Sequence, residues 1–69
     1  MADHACVAFL QWALPQLGLR WAGFRRVRRQ VCRRIQARQR DLGLSWDSYR
    51  SYLVDQPDEW EHLEHLCRV

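Results

Sequence analysis

The chain has 69 residues, of which 48% are hydrophobic and 28% are charged, with four tryptophans and only three glycines. This composition is typical of a folded chain and excludes a disordered one, while the length excludes more than one small domain. A core of this size leaves no room for a deep cofactor pocket, so we expect a binding module or part of a longer protein.

The net charge of +3 is unevenly distributed along the chain. Residues 1–44 hold nine arginines against Asp3 and Asp41, which gives +7. Residues 45–69 hold Arg50 and Arg68 against six acids, which gives −4. A basic first part followed by an acidic second part indicates a dipolar domain rather than a uniformly cationic one.

The three cysteines do not form a disulfide pattern. Cys6, Cys32 and Cys67 are odd in number, widely spaced and without a C-x-x-C motif, so the sequence predicts reduced thiols. Residues 5–18 form the only long apolar run, which is too short to span a bilayer and lacks the basic start of a signal peptide. We therefore expect a cytoplasmic protein without membrane insertion.

The first predicted helix lies within this apolar run. Apolar residues recur at helical spacing from Val7 to Leu17, and Asp3 is the expected N-cap. Pro15 is expected to kink or end the helix, and Gly18 to follow its C-terminal end.

The second predicted helix extends from about Gly23 to Asp41. Its apolar stripe includes Val27, Val31 and Ile35, and Gly43 is expected to follow its end. Residues 24–40 of this segment contain eight arginines and no acid.

Two shorter helices are predicted in the remaining chain. Ser45 or Asp47 is expected to cap the third helix, and the fourth is expected to start near Asp55 or Gln56 with Pro57 in its first turn. No segment alternates with period two, so no strand is expected. The predicted fold is an all-α small bundle of about four helices with a long arginine-rich second helix.

Helical geometry sorts the arginines of the second helix into two groups. Arg34 flanks the apolar stripe and Arg38 lies almost on its axis. A charge on that axis must extend to solvent, pair with an acid or reach a surface outside this chain. The group opposite the stripe, called the arginine ridge below, contains Arg26, Arg29, Arg33 and Arg40.

Several interpretations of the arginine ridge can be weighed from the residues. A solvated face is the simplest, but like charges at helical spacing destabilise a helix, which favours a negative partner. A nucleic-acid interface would need stacking or base-reading side chains on the ridge, which has no aromatic residue, and the acidic second half would repel phosphates. A membrane-surface helix would need large apolar residues outside the bundle.

No arrangement typical of catalysis or metal binding is found. His62 and His65 stand at i and i+3 with Cys67 nearby, but a clear fourth ligand is missing, so we expect surface imidazoles rather than a zinc site. No cysteine lies beside a histidine as an activated nucleophile, and no glycine-rich phosphate loop occurs. We expect neither a catalytic residue nor a metal ligand in this segment.

Five motifs follow one another along the chain: LGL at 17–19, FRR…RRI…R in the basic helix, LGLS at 42–45, YRSYL at 49–53 and DEWEHL at 58–63. Their order resembles the N-terminal helical domain of CheR-type chemotaxis receptor methyltransferases, which use S-adenosylmethionine to methylate receptor glutamates. The resemblance extends from about Phe9 to Leu66. Residues 1–69 are accordingly identified as such a domain, and the resemblance implies that the SAM-binding catalytic domain follows a Thr-x-Phe-Phe-Arg segment beyond Val69.

The resemblance also implies a function in substrate recognition. The expected partners are an acidic helical protein, namely the methylation region of a chemoreceptor, and the catalytic domain of the same polypeptide. Arg34 and Arg38 would lie at a seam between the two domains, and we expect their replacement by alanine to weaken methylation without unfolding the domain. A free-standing helical adaptor or nucleic-acid-binding module is the alternative. The candidate substrate-binding residues are Arg26, Arg29, Arg33, Arg34, Arg38 and Arg40.

Overall fold

The computed structural model describes the backbone of residues 2–68 and the side chains of residues 4–68. In this range the chain forms four α-helices: α1 (Ala2–Gln16), α2 (Arg28–Leu42), α3 (Trp46–Asp55) and α4 (Glu59–Cys67). A short 3-10 helix, Trp21–Phe24, lies between α1 and α2. Residues 2–68 contain no strand, which confirms the predicted small all-α bundle. None of the helices described is long and apolar enough to cross a membrane.

The same three residues, Leu-Gly-Leu, end both α1 and α2. Gly18 and Gly43 have positive φ angles of 74° and 69°, as expected for the residue after a helix end. The Gly18 amide donates to the Pro15 carbonyl at 3.1 Å, and the Leu19 amide donates to the Leu14 carbonyl at 2.9 Å. The equivalent pair of hydrogen bonds follows α2, so each motif satisfies two otherwise unpaired carbonyls and turns the chain sharply.

The starts of α1 and α2 differ from the prediction. α1 begins at Ala2, so Asp3 lies inside the helix rather than before it, and its side chain is outside the described part. α2 begins at Arg28 instead of Gly23, because Val27 leaves helical geometry with φ −106° and ψ 7°. Glycine has a low helix propensity, and arginines are unfavourable at a helix N-terminus that has no acid in its first turn.

α3 starts as predicted, whereas α4 starts later. The Ser45 hydroxyl accepts a hydrogen bond from the Ser48 amide at 3.2 Å, which makes Ser45 the N-cap of α3. α4 begins at Glu59, after a turn that contains Pro57. The first amides after this turn bond to carbonyls three residues earlier, so α4 is preceded by 3-10 geometry rather than by a regular α-helical turn.

The core lies between α1 and the other three helices. α1 packs against α2 and α3, and α4 packs against the same two helices. The Phe9 ring is central, with its centroid 5.2 Å from that of Trp46 and 5.6 Å from that of Tyr49. The buried apolar side chains of the described residues come from all four helices: Cys6, Phe9, Leu10, Ala13, Leu14, Val31, Cys32, Ile35, Tyr49, Leu53, Leu63 and Cys67.

The prediction of three reduced thiols is wrong for two of them. Cys6 of α1 and Cys32 of α2 form a disulfide, with their Cα atoms 6.0 Å apart, while Cys67 is a buried free thiol. Two cysteines separated by 26 positions are brought together only because α1 packs on α2, and nothing local in the sequence reports that contact. Spacing arguments for disulfides therefore fail here.

Candidate functional site

The arginine ridge lies on the solvent side of α2. Arg29, Arg33 and Arg40 are exposed on the helix, and Arg26 is exposed in the turn before it. At 1.5 Å per residue the ridge extends ~16 Å from Arg29 to Arg40. Within residues 4–68, none of the four guanidinium groups makes a hydrogen bond or an ion pair. Its three helical members thus form a row of unpaired positive charge along the exposed face of α2, and Arg26 adds an unpaired charge just before the helix.

Arg38 is turned inward and pairs with Glu59 of α4. Arg38 Nε donates to Glu59 Oε2 at 3.0 Å, and Nη2 donates to Oε1 at 2.9 Å. The Glu59 side chain is only 5% exposed and that of Arg38 is 26% exposed. This two-point geometry is the strongest form of an arginine–carboxylate contact. Of the alternatives open to a charge on the apolar stripe, pairing with an acid is the one that the structure shows.

Tyr49 of α3 completes this buried polar cluster. Its hydroxyl donates to Glu59 Oε2 at 2.8 Å, so one carboxylate joins α2, α3 and α4. Burial raises the pKa of Glu59, but the hydrogen bonds from Arg38 and Tyr49 outweigh burial and hold that pKa below its ordinary value. Burial, and then the hydrogen bond to Glu59, raise the pKa of the Tyr49 hydroxyl. Glu59 is therefore charged and Tyr49 neutral at physiological pH.

Arg34 also bonds within the chain, at the C-terminal end of α4. Its Nη1 donates to the Arg68 carbonyl at 2.6 Å, and its Nη2 lies 3.5 Å from the His65 carbonyl. The last carbonyls of a helix lack partners and carry partial negative charge, so a guanidinium group stabilises them on both grounds. Arg34 thus caps α4 and ties it to α2.

These contacts divide the six candidate arginines. The four ridge residues point to solvent, while Arg34 and Arg38 have partners in this chain, which explains their place beside the stripe without a domain seam. Arg38→Ala was expected to leave the fold intact. The structure indicates that it destabilises the domain, because the substitution leaves the Glu59 carboxylate buried with one partner fewer.

Sequence reasoning missed two buried polar residues. Glu59 was expected among the acids at the N-terminus of α4, yet it is 6% exposed and lies on the same face as Leu63. The sequence contains a signal for this contact. Glu59 and Arg38 each lie on the apolar stripe of their helix, and two opposite charges placed in this way on neighbouring helices are expected to pair. Gln39 is also buried at 6%, and its Nε2 atom has no partner; no sequence signal marks it.

The two histidines and the cysteine of α4 differ in exposure. His62 and His65 are exposed and Cys67 is buried. Among residues 4–68, no group of three His, Cys, Asp or Glu side chains could hold a metal ion, and no pocket is found. A guanidinium group stays protonated at neutral pH, so the ridge can bind and orient an anion but cannot take up a proton.

Comparisons of the chain with protein-family models, with curated proteins and with solved structures find no match.

Proposed function

We propose that this chain is a protein-recognition module that binds an acidic segment of a partner protein along the arginine ridge. One observation carries the proposal: Arg29, Arg33 and Arg40 share the exposed face of α2, Arg26 is exposed just before the helix, and none of the four has an acid partner among residues 4–68. Guanidinium groups bind carboxylates through two parallel hydrogen bonds. The planar guanidinium is already in the right geometry, so little side-chain entropy is lost for each bond formed. A helix with carboxylates on one face would match the row along α2.

Within this proposal the chain is the substrate-recognition domain of a SAM-dependent protein-glutamate methyltransferase of the CheR type. The acidic segment is then the methylation region of a chemoreceptor-like protein in the cytoplasm. The order of the five motifs supports this assignment. S-adenosylmethionine would be bound mainly by the catalytic domain of the same polypeptide, so this chain would supply binding and orientation but no step of the chemistry.

The proposed binding set is the arginine ridge alone. Arg34 and Arg38 are left out because each already bonds to α4, and moving either to a partner would break those bonds. Their contribution to recognition is indirect, since they hold α2 against α4 and so keep the ridge in place.

A free-standing adaptor or nucleic-acid-binding module is the second candidate. Unpaired guanidinium groups also bind phosphates, and such binding is sequence-independent and steeply dependent on salt. Exposed acids oppose this candidate: Asp55, Asp58 and Glu61 lie on the surface at the junction of α3 and α4. Their repulsion acts on any anion, and it increases with the charge of the ligand, so a long polyanion is repelled more than a short acidic helix.

The test is a binding titration by fluorescence anisotropy at low salt. The probes are a labelled helical peptide with glutamates at i, i+4 and i+7, the same peptide with glutamines, and a DNA duplex. We expect the glutamate peptide to bind and the glutamine peptide to fail. The double variant Arg29→Gln/Arg33→Gln should weaken binding ~5- to 20-fold, since each exposed charge contact contributes up to ~1 kcal/mol.

The matched control is Arg20→Gln, which removes an exposed arginine outside the ridge. It should change the affinity less than ~2-fold, because screening weakens a distant charge. Equal losses in the control and the double variant would contradict the proposal. Tighter binding of the duplex than of the peptide, with a steeper salt dependence, would favour the second candidate.

The methyltransferase assignment has its own test in a polypeptide that carries this domain and its catalytic domain. The ridge double variant should raise the KM for the receptor fragment and leave the KM for S-adenosylmethionine unchanged, because it alters protein recognition only. An unchanged KM for the receptor fragment would contradict the methyltransferase assignment. It would not contradict recognition of an acidic segment, which the peptide titration of the isolated domain tests on its own.

A further inference from the structure

The Cys6–Cys32 disulfide is a covalent cross-link between α1 and α2, in addition to the backbone that connects them. Cys6 lies in the second turn of α1 and Cys32 in the second turn of α2, with Cα atoms 6.0 Å apart and a sequence separation of 26. Both residues belong to the core, at 0% and 5% exposure. The bond therefore fixes the N-terminal half of α1 to the inner face of the helix that carries the arginine ridge.

α1 is attached differently from the other helices. Its contacts to α3 and α4 are ring packing and one cation–π contact. Phe9 packs on Tyr49 and Trp12 on Trp60, with centroids 5.6 Å and 5.4 Å apart, and the Arg50 guanidinium lies 4.6 Å from the centre of the Trp12 ring. α2 and α4 are instead joined by the charged hydrogen bonds of Arg34 and Arg38. If the disulfide is removed, those bonds continue to hold α2 to α4, whereas α1 loses its covalent attachment. The effect of reduction should be concentrated on α1.

A domain of this size depends strongly on such a link. With 69 residues, the chain buries a small core, and closing a loop of 26 residues removes much of the conformational freedom of the unfolded chain. A disulfide is permanent in an oxidising compartment and exchanges with thiols in a reducing one. Stability that depends on one disulfide therefore follows the redox state of the surroundings.

We propose that Cys6 and Cys32 form a reversible redox switch that controls the docking of α1: the disulfide locks α1 onto α2, and reduction lets α1 open. Oxidation is a thiol–disulfide exchange with a small disulfide such as oxidised glutathione. One cysteine thiolate attacks it, forming a mixed disulfide and releasing one glutathione thiolate; the second cysteine displaces the other. The two cysteine sulfurs lose one electron each, the two glutathione sulfurs gain one each, and the cysteine protons pass to the released glutathione.

Because the Cys6–Cys32 bond is buried, the opening of α1 and thiol–disulfide exchange at this bond depend on each other. Cys6 has no exposed surface, so a small thiol reaches the bond only when the N-terminal part of α1 moves away from α2. Once the bond is reduced, the same movement occurs more often, because packing alone opposes it. Cys67, the free thiol of α4, is buried in the same core and must be removed before the proposed pair can be studied alone.

The test uses amide hydrogen exchange on the Cys67→Ala variant, in which only the proposed pair can react. Exchange is followed by mass spectrometry after protein oxidation with glutathione disulfide and again in excess dithiothreitol. We expect reduction to speed exchange of the amides in the N-terminal half of α1 ~10- to 100-fold, and those of α2 and α4 by a smaller factor. Renewed oxidation should restore the slow rates.

The control is the double variant Cys6→Ala/Cys32→Ala. It should exchange like the reduced form in both buffers, and an equal response of this variant to dithiothreitol would overturn the proposal. Two results with Cys67→Ala decide the matter without the double variant. Alkylation that finds both thiols free after treatment with glutathione disulfide would overturn the switch. So would exchange rates of α1 that are unchanged by reduction.

Discussion

Replacing Arg38 by alanine tests the buried cluster that joins α2, α3 and α4. The substitution removes two charged hydrogen bonds and leaves the Glu59 carboxylate, which is 5% exposed, with Tyr49 as its partner in the cluster. Breaking a fully buried ion pair costs ~3–5 kcal/mol. Because a quarter of the Arg38 side chain is exposed, water can enter the vacated space, and we expect a loss of ~2–3 kcal/mol in the free energy of unfolding.

This loss is large for so short a chain. Domains have ~0.05–0.15 kcal/mol of stability per residue, or ~3–10 kcal/mol for a chain of this length. The melting temperature should fall by ~10–20 °C. Urea unfolding followed by tryptophan fluorescence measures the change directly, since Trp12 and Trp60 pack together next to the cluster.

The matched control is Arg33→Ala on the same helix. Arg33 is exposed and has no ion pair in the described part of the chain, so its replacement should change stability by less than ~0.5 kcal/mol. A double-mutant cycle of Arg38→Ala with Glu59→Gln should give a coupling of ~1–2 kcal/mol. If Arg38→Ala is as stable as Arg33→Ala, the reasoning about the buried cluster is refuted.

Three further predictions concern pH, a helix end and the free thiol. The pKa of Glu59 is held below its ordinary value of 4.5, so the stability that this carboxylate contributes is complete above pH 4.5 and is lost as the pH falls through the folded-state pKa. Urea titrations at decreasing pH should show this loss of stability in the parent and a smaller loss in Glu59→Gln. Gly43→Ala should destabilise the domain by ~1 kcal/mol because φ is +69°, whereas Gly23→Ala, at ordinary φ and with open space, should be neutral or stabilising; thermal melts of the two variants decide this. Cys67 should be alkylated by iodoacetamide at pH 8 ~100-fold more slowly in the folded than in the urea-unfolded chain, and equal rates would show that the thiol is accessible.

Local features of the sequence predicted where α1 and α2 end and where α3 begins. Pro15, Gly18, Gly43 and Ser45 act within a turn of their own positions, so their effects depend on backbone geometry rather than on distant contacts. The beginning of α2 was harder to predict, because apolar periodicity continues through the 3-10 helix and no residue marks the break at Val27.

Contacts between helices were not predictable in the same way. The Cys6–Cys32 bond depends on how α1 lies on α2, which is a property of the whole core. The orientation of Arg38 was predicted correctly from helical geometry, but its partner was not, since spacing within α2 cannot identify an acid on α4. For Arg29, Arg33 and Arg40, geometry within one helix was sufficient, and all three are exposed as the periodicity predicts. Arg26 is exposed too, but it lies in the turn before α2, outside the helix on which that prediction was based.

Binding of an acidic segment by the arginine ridge is tested most directly when each arginine is observed separately. Nitrogen-15 spectra can follow the side-chain Nε–H signals during titration with the helical glutamate peptide, after assignment by single arginine replacements. If the peptide binds along the arginine ridge, we expect saturable shifts for Arg29, Arg33 and Arg40. The signals of Arg34 and Arg38 should not change, because their guanidinium groups stay bonded to α4. Shifts confined to Arg34 and Arg38, or no shifts at a peptide concentration of ~1 mM and low salt, would contradict binding along the ridge.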